Sequence, residues 1–193
     1  VPRIHGETLR DHRVQVHQSV LEAFAELMVE RSFESISMRE IAERAGLGRT
    51  AIYHHFSDRE AVLVAFATRT TRAYVTELRA ALEQAATPSD RLRVYVHHHL
   101  AAGEQFHMGL GPSLVGQLSE TARLEMRHHI ESVEAVLREI VLDGQASGEF
   151  GTTDVEAALS LIHACLVPRH LPASAIEDFV LRAVGVSQPV ASH

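Results

Sequence analysis

Arg49-Thr50-Ala51-Ile52-Tyr53-His54-His55-Phe56 sets an arginine, two hydroxyls and two imidazoles on eight consecutive positions. These groups bond the edges and phosphates of a duplex. An arginine donates two parallel bonds to a guanine edge, and threonine brings a hydroxyl and a methyl to base edges. A tyrosine hydroxyl bonds a phosphate oxygen. Such side chains need a rigid mount, and the residues before them supply one. Ser37 with Glu40 makes a capping box for a short helix over about Met38–Ala45. Gly46-Leu47-Gly48 breaks that helix, and a second follows from Arg49 to His55. Ala42 is small enough for the two helices to cross closely, and Ile41, Ala45, Leu47 and Ile52 close a small core between them. The spacing predicts a helix-turn-helix, whose second helix enters the major groove while the first lies over the backbone.

Histidine is the other abundant chemical group: fourteen residues, among them His97-His98-His99, His107, His128-His129, His163 and His170. No His-Glu-x-x-His, cysteine pair or carboxylate at ligand spacing accompanies them. Three consecutive helical residues point about 100° apart and cannot all ligate one ion. No metal is expected. His99 shares a face with Tyr95, Val96 and Phe106, and His129 falls beside Met126 and Val133. Either serves as a core histidine or as a hydrogen-bond partner for an organic ligand.

The chain has 193 residues, 46% hydrophobic and 22% charged, a globular balance. All 18 basic residues are arginine. Without lysine there is no Walker phosphate loop, Schiff-base chemistry or serine–lysine hydrolase. The single cysteine, Cys165, lies in an apolar run and reads as a packing residue. The net charge of −7 is uneven: residues 1–59 carry eight Arg against nine acids, and the rest ten against sixteen. Relative basicity at the N-terminal end permits contact with nucleic acid. No apolar run approaches the roughly 20 residues of a membrane span, and the polar opening Val1–Arg13 lacks a signal-peptide core. A cytoplasmic protein without membrane association is expected.

The elements that carry these groups are all helical. Val20, Leu21, Phe24, Leu27 and Met28 trace a first helix over about Val14–Arg31. Asp58 caps a long fourth helix running to about Ala86. Further helices are expected from Pro88 to about Phe106, then over Glu120–Gln145, Asp154–Leu166 and Ala173–Val184. Met108-Gly109-Leu110-Gly111-Pro112 interrupts the second half. The fold class is all-α, with an arm at 1–13, a DNA-binding domain at 14–60, a helical ligand-binding and dimerisation domain at 61–186, and a tail at 187–193.

The stretch from Val14 to Leu63 resembles the DNA-binding domain of the tetracycline-repressor (TetR) family. It carries Arg39-Glu40-Ile41-Ala42, Ala45-Gly46 and Tyr53-His54-His55-Phe56, preceded by Ala23-Phe24 and Glu30-Arg31-Ser32-Phe33 and followed by Ser57-Asp58-Arg59-Glu60. It departs at Gly48, where a serine or threonine cap is usual, at Thr50-Ala51, and at Ser32, where glycine is usual. The resemblance implies that Ser37, Tyr53 and Arg59 hold phosphates and that Arg49, Thr50 and His54 meet base edges, with Ala51 on the same surface. Arg3, Arg10 and Arg13 either add backbone or minor-groove contacts or trail in solvent. Arg44 reads as a solvated surface charge.

From Val64 onward only the helical layout is similar. The expected pocket is formed by Phe66, Tyr95, His99, Phe106, Met108, Leu118, Met126 and His129, suited to a mostly hydrophobic effector. The penultimate helix is apolar nearly all round, so a second copy is its natural cover. Val155, Leu159, Ile162 and Leu166, with Ile176, Phe179 and Val180 from the last helix, are the expected homodimer contacts. The sequence thus predicts a ligand-responsive DNA-binding regulator without a cofactor, a repressor released from a palindromic double-stranded operator by a small-molecule effector. The alternatives are an activator on the same scaffold and a metal-dependent helical-bundle enzyme.

Overall fold

The computed structural model describes residues 5–107, 116–167 and 171–186, with 5–9 and 103–107 described by backbone alone. All regular structure among them is helical: α1 (His5–Glu30), a 3-10 turn (Phe33–Ser35), α2 (Met38–Arg44), α3 (Arg49–Tyr53) and α4 (Arg59–Leu82). Then follow α5 (Pro88–His107), α6 (Glu120–Ser147), α7 (Val155–Cys165) and α8 (Ala173–Ala183). The expected interruption at 108–112, the residues Arg3, Met108 and His170, and the tail from 187 lie outside the described residues. α1 starts well before Val14, taking in most of the expected arm. After Gly6 nothing there breaks a helix, and Glu7 sits at the positive end of its dipole.

The described residues form two compact units. The first gathers the chain up to Thr70 together with the stretch ending at His129. Its core joins Val20, Phe24 and Leu27 of α1 to Phe33, Ile36, Ile41, Ile52, Leu63 and Phe66. Ile41 and Ile52 are wholly buried, with Ala45 and Leu47 packed beside them, so the small core between α2 and α3 forms as the sequence predicts. The 3-10 turn at Phe33–Ser35 was not legible in the sequence.

Both ends of α2 are capped. The Ser37 hydroxyl accepts from the Glu40 amide, and the Glu40 carboxylate accepts from the Ser37 amide. At the other end Gly46 adopts a left-handed φ of 69°. There the Leu47 amide reaches Ala42 O at 2.8 Å and the Gly46 amide reaches Glu43 O at 3.2 Å. That pattern ties off the last free carbonyls and turns the chain into α3. α3 stops at Tyr53 because the His54 and His55 amides turn to carbonyls three residues back.

The second unit holds Thr71–Phe106 and the chain from Ile130 onward. Leu78, Leu92, Tyr95, Leu137, Ile140, Leu159, Ile162 and Val180 meet in its core. Asp154 caps α7 by accepting from the Ala157 amide at 3.0 Å. Arginine–carboxylate pairs lace the outside, as in the two-pronged contact of Arg79 with Glu139 at 2.9 and 3.0 Å.

Candidate nucleic-acid interface

α3 has one buried face and one open face. Ile52 is 0% exposed, while Arg49, Thr50, Tyr53 and His54 are exposed and Ala51 is half-buried. A single apolar anchor in a five-residue helix fixes its rotation and turns these neighbours outward together. Gly48 carries no side-chain cap, but its extended backbone (φ −70°, ψ 150°) still opens the helix. The Tyr53 ring is 47% exposed, and its hydroxyl has no protein partner among the described residues.

The other two residues expected to hold phosphates are otherwise engaged. The Ser37 hydroxyl donates to the Glu40 carboxylate at 2.7 Å while accepting the Glu40 amide. Arg59 Nη1 donates to the carbonyls of Phe33, Glu34 and Ile36 at 3.4, 2.9 and 3.2 Å, and its guanidinium carbon lies 4.8 Å from the Phe33 ring centroid. Its charge is spent on the main chain that leads into α2.

Three further arginines of this unit are ion-paired. Arg44 forks onto Glu30 and reaches Glu26, Arg31 binds Glu40, and Arg39 binds Glu43. The Arg44 contact holds the Glu30 carboxyl below its ordinary range. Beside α3, and not anticipated from the sequence, His17 of α1 meets His55 edge-on at 5.4 Å and Phe56 at 4.6 Å. His17 Nε2 and His55 Nδ1 are buried without a partner. Burial first, then neighbouring positive groups including Arg13, lowers both imidazoles below the usual histidine value.

The residues expected to line a ligand pocket fall into the two cores. Phe66, Leu118 and Met126 belong to the first, where Phe66 meets Phe24 at 5.6 Å. His129 lies in the same unit with Nε2 3.2 Å from Thr68 Oγ1, its pKa lowered by burial. Tyr95 and His99 belong to the second unit and stack at 6.0 Å. There Tyr95 Oη bonds His163 Nε2 at 3.1 Å and Tyr74 Oη bonds His99 Nδ1 at 3.2 Å. Tyr74 and His163 were missed as members of this cluster; the signal for His163 was a polar residue inside an otherwise apolar helix. The Phe106 side chain and Met108 lie outside what is described. Among the described residues no group of three or more His, Cys, Asp or Glu is placed to hold a metal ion. No described helix is long and apolar enough to cross a membrane.

Of the residues expected at a dimer contact, Leu159, Ile162, Leu166, Ile176 and Val180 are buried in the chain's own core. Val155 is half-buried and Phe179 is 56% exposed. The open apolar face between α7 and α8 is a groove of about 380 Å³ lined by the expected Ile162, Phe179 and Val180 together with Leu161 and Cys165. Leu161 is 64% exposed.

A helix-turn-helix with an outward α3, set in an all-helical chain, defines a class of bacterial DNA-binding proteins, and comparison with known proteins places it within that class. Residues 20–66 match the family described as bacterial regulatory proteins, tetR family, and residues 88–178 match the tetracyclin repressor-like C-terminal domain. The chain belongs to the TetR family. It is 35% identical over 77 residues to the uncharacterized HTH-type transcriptional regulator Rv1255c of Mycobacterium tuberculosis, spanning 40% of this chain and 38% of that protein. The match thus covers less than half the length of that relative. Among solved structures the chain is similar to the TetR family transcriptional regulator PfmR of Thermus thermophilus, with 27% identity and a TM-score of 0.68. That likeness covers 84% of this chain and 97% of the other. It also shares its fold with AibR, solved in complex with isovaleryl coenzyme A and operator DNA, at 19% identity and a TM-score of 0.70, over 88% of this chain and 97% of AibR.

Proposed function

We propose that this protein is a sequence-specific DNA-binding transcription regulator, a repressor that leaves its operator when a small, mostly hydrophobic effector binds. One observation carries the reading: Ile52 anchors α3 while Arg49, Thr50, Tyr53 and His54 stand exposed together. Arg49 and Thr50 then read base edges, and Tyr53 holds a phosphate.

Two copies act together, meeting across the α7–α8 face around Leu161 and Phe179. Two-fold symmetry presents two recognition helices to half-sites about 34–36 Å apart. The effector lodges among α4, α5 and α6, and its preference for one spacing of the recognition helices sets the release. Support for an organic effector comes from AibR, which shares the fold and was solved with isovaleryl coenzyme A. The apolar core of the second unit, with Tyr hydroxyls and His imidazoles as its buried polar groups, suits an acyl chain.

The test is selection of duplexes from a random-sequence library by the purified protein, followed by retardation of the enriched duplex. Enrichment of a near-palindrome, and its release by acyl-coenzyme A thioesters or other lipophilic compounds, is the expected result. Equal retention of scrambled and enriched DNA overturns sequence-specific readout. Loss of expression of a neighbouring gene on deletion, in place of derepression, assigns activation instead.

A further inference from the structure

Three consecutive residues before α6 are tied to the helix-turn-helix, all within the first unit. Leu118 is 5% exposed and packs in the same core as Phe24, Ile41 and Phe66. The Glu34 carboxyl is held below its ordinary range by its own amide first, then by Ser32, Gln117 and Arg59. The Ser119 amide and hydroxyl donate to Glu60 Oε2 at 3.2 and 2.5 Å. Ser119 Oγ in turn accepts the Ala122 amide at 3.3 Å, so the residue that caps α6 is itself held by α4.

Glu60 and Arg59 are neighbours in the first turn of α4 and reach in different directions. Glu60 takes the start of α6, while Arg59 takes the carbonyls of Phe33, Glu34 and Ile36 on the way into α2. Glu34 is held at its carbonyl by Arg59. The contacts form a chain that runs from Glu34 through Arg59 and Glu60 to Ser119. Ser35 and Ile36 lead from Glu34 to Ser37, which sets the first turn of α2.

We propose that this chain of contacts is the coupling element of the protein. Leu118 and Ser119 fix α2 and α3 through the shared core and through Glu60 and Arg59, so that moving this segment is felt as a change in DNA affinity. Leu118 is then a plug of the DNA-binding unit and not a wall of an effector pocket, and Arg59 is a positioning residue and not a phosphate ligand. The polar contacts are largely at the surface, where each contributes little alone. A switch needs that: a coupling worth about a 5- to 150-fold change in affinity must be broken and remade by ligand binding. The proposal deepens the regulator reading and rests on it for its consequence, though not for its geometry.

The experiment uses the full chain carrying Glu60→Ala, Ser119→Ala, both together, or Glu60→Gln, which keeps an acceptor oxygen. Amide hydrogen exchange without DNA and affinity for the library-enriched duplex are measured for each. Both single variants are expected to speed exchange in Ile41–Ile52 and to shift affinity about fivefold or more. The double variant is expected to match the larger single effect, because one element is being broken. Glu60→Gln is expected to recover most of the wild-type exchange pattern. Faster exchange confined to 116–123, with affinity within about twofold of wild type, overturns the proposal. If no duplex is enriched the regulator reading fails, and exchange in α2 and α3 still decides the coupling.

Discussion

Arg59 donates from Nη1 to the carbonyl oxygen of Glu34 at 2.9 Å. A guanidinium so engaged supports the chain entering α2, and a phosphate would have to compete with three carbonyls for it. Arg59→Ala is therefore expected to lower stability by about 1–3 kcal/mol in chemical denaturation. The slope of log affinity against log salt should stay unchanged; a direct phosphate contact would instead reduce that slope by about 1.

Tyr53 and Arg49 separate grip from readout. Tyr53→Phe removes one hydroxyl from an exposed ring and is expected to weaken every duplex alike, by about 1 kcal/mol or fivefold. Arg49→Ala is expected to cost about 1–3 kcal/mol on the enriched duplex and much less on scrambled DNA. Fluorescence anisotropy with both duplexes measures the two ratios, and equal losses on both for Arg49→Ala would remove it from the base-reading set.

Acid should loosen the packing between α1 and α3. His17 and His55 both titrate below 6.5 in the folded chain, through burial and nearby positive groups. A depressed histidine makes the unfolded state the better proton acceptor. Its stability contribution is intact above the unfolded value of about 6.5 and is lost as pH falls toward the folded one. His163 and His129 shift the same way and add to the loss. The Glu30, Glu40 and Glu139 carboxylates, held below 4.5, contribute only at lower pH. Thermal unfolding between pH 7.5 and 5 should show a falling midpoint, flatter in His17→Gln; a flat wild-type profile refutes the assignment.

Leu161 and Phe179 stand open on the α7–α8 face. Leu161→Glu and Phe179→Glu are expected to yield folded monomers in analytical ultracentrifugation, since each puts a charge on the apolar face proposed for the dimer. Ile162→Glu, at a position 2% exposed, should unfold the chain instead. Unaltered dimers in both exposed variants would move the interface elsewhere.

Gly144 of α6 leaves room for Phe150, whose ring would lie 2.1 Å from a Cβ at that position. Gly144→Ala is expected to cost about 1–3 kcal/mol as the ring is displaced, against a gain in helix propensity of up to about 1 kcal/mol. Urea denaturation gives the balance, and a stabilised variant would mean the ring moves freely.

Much of this was legible along the chain because it depends on neighbours in sequence. Ser37 and Glu40 cap α2 from three residues apart, Gly46 turns it, and the apolar spacing around Ile52 sets which face of α3 is open. The helical arm was missed because Leu9 alone sets no apolar period there. The 3-10 turn at Phe33–Ser35 was missed because three residues carry no period. On α7 and α8 the apolar count alone does not name the partner: the same pattern describes a side chain facing its own core and one facing a second copy.

By itself the sequence determined an all-helical chain, the two short helices and the residues α3 holds outward, since capping, turn chemistry and periodicity act within a few residues. Tertiary structure alone decided the partners of groups far apart in the chain: Arg59 on the carbonyls before α2, Ser119 on Glu60, His17 against His55, and Leu118 among the rings of the DNA-binding unit. The reason is physical. A charged or polar group takes whatever complement folding brings within about 3 Å, and no residue type or spacing specifies that neighbour in advance.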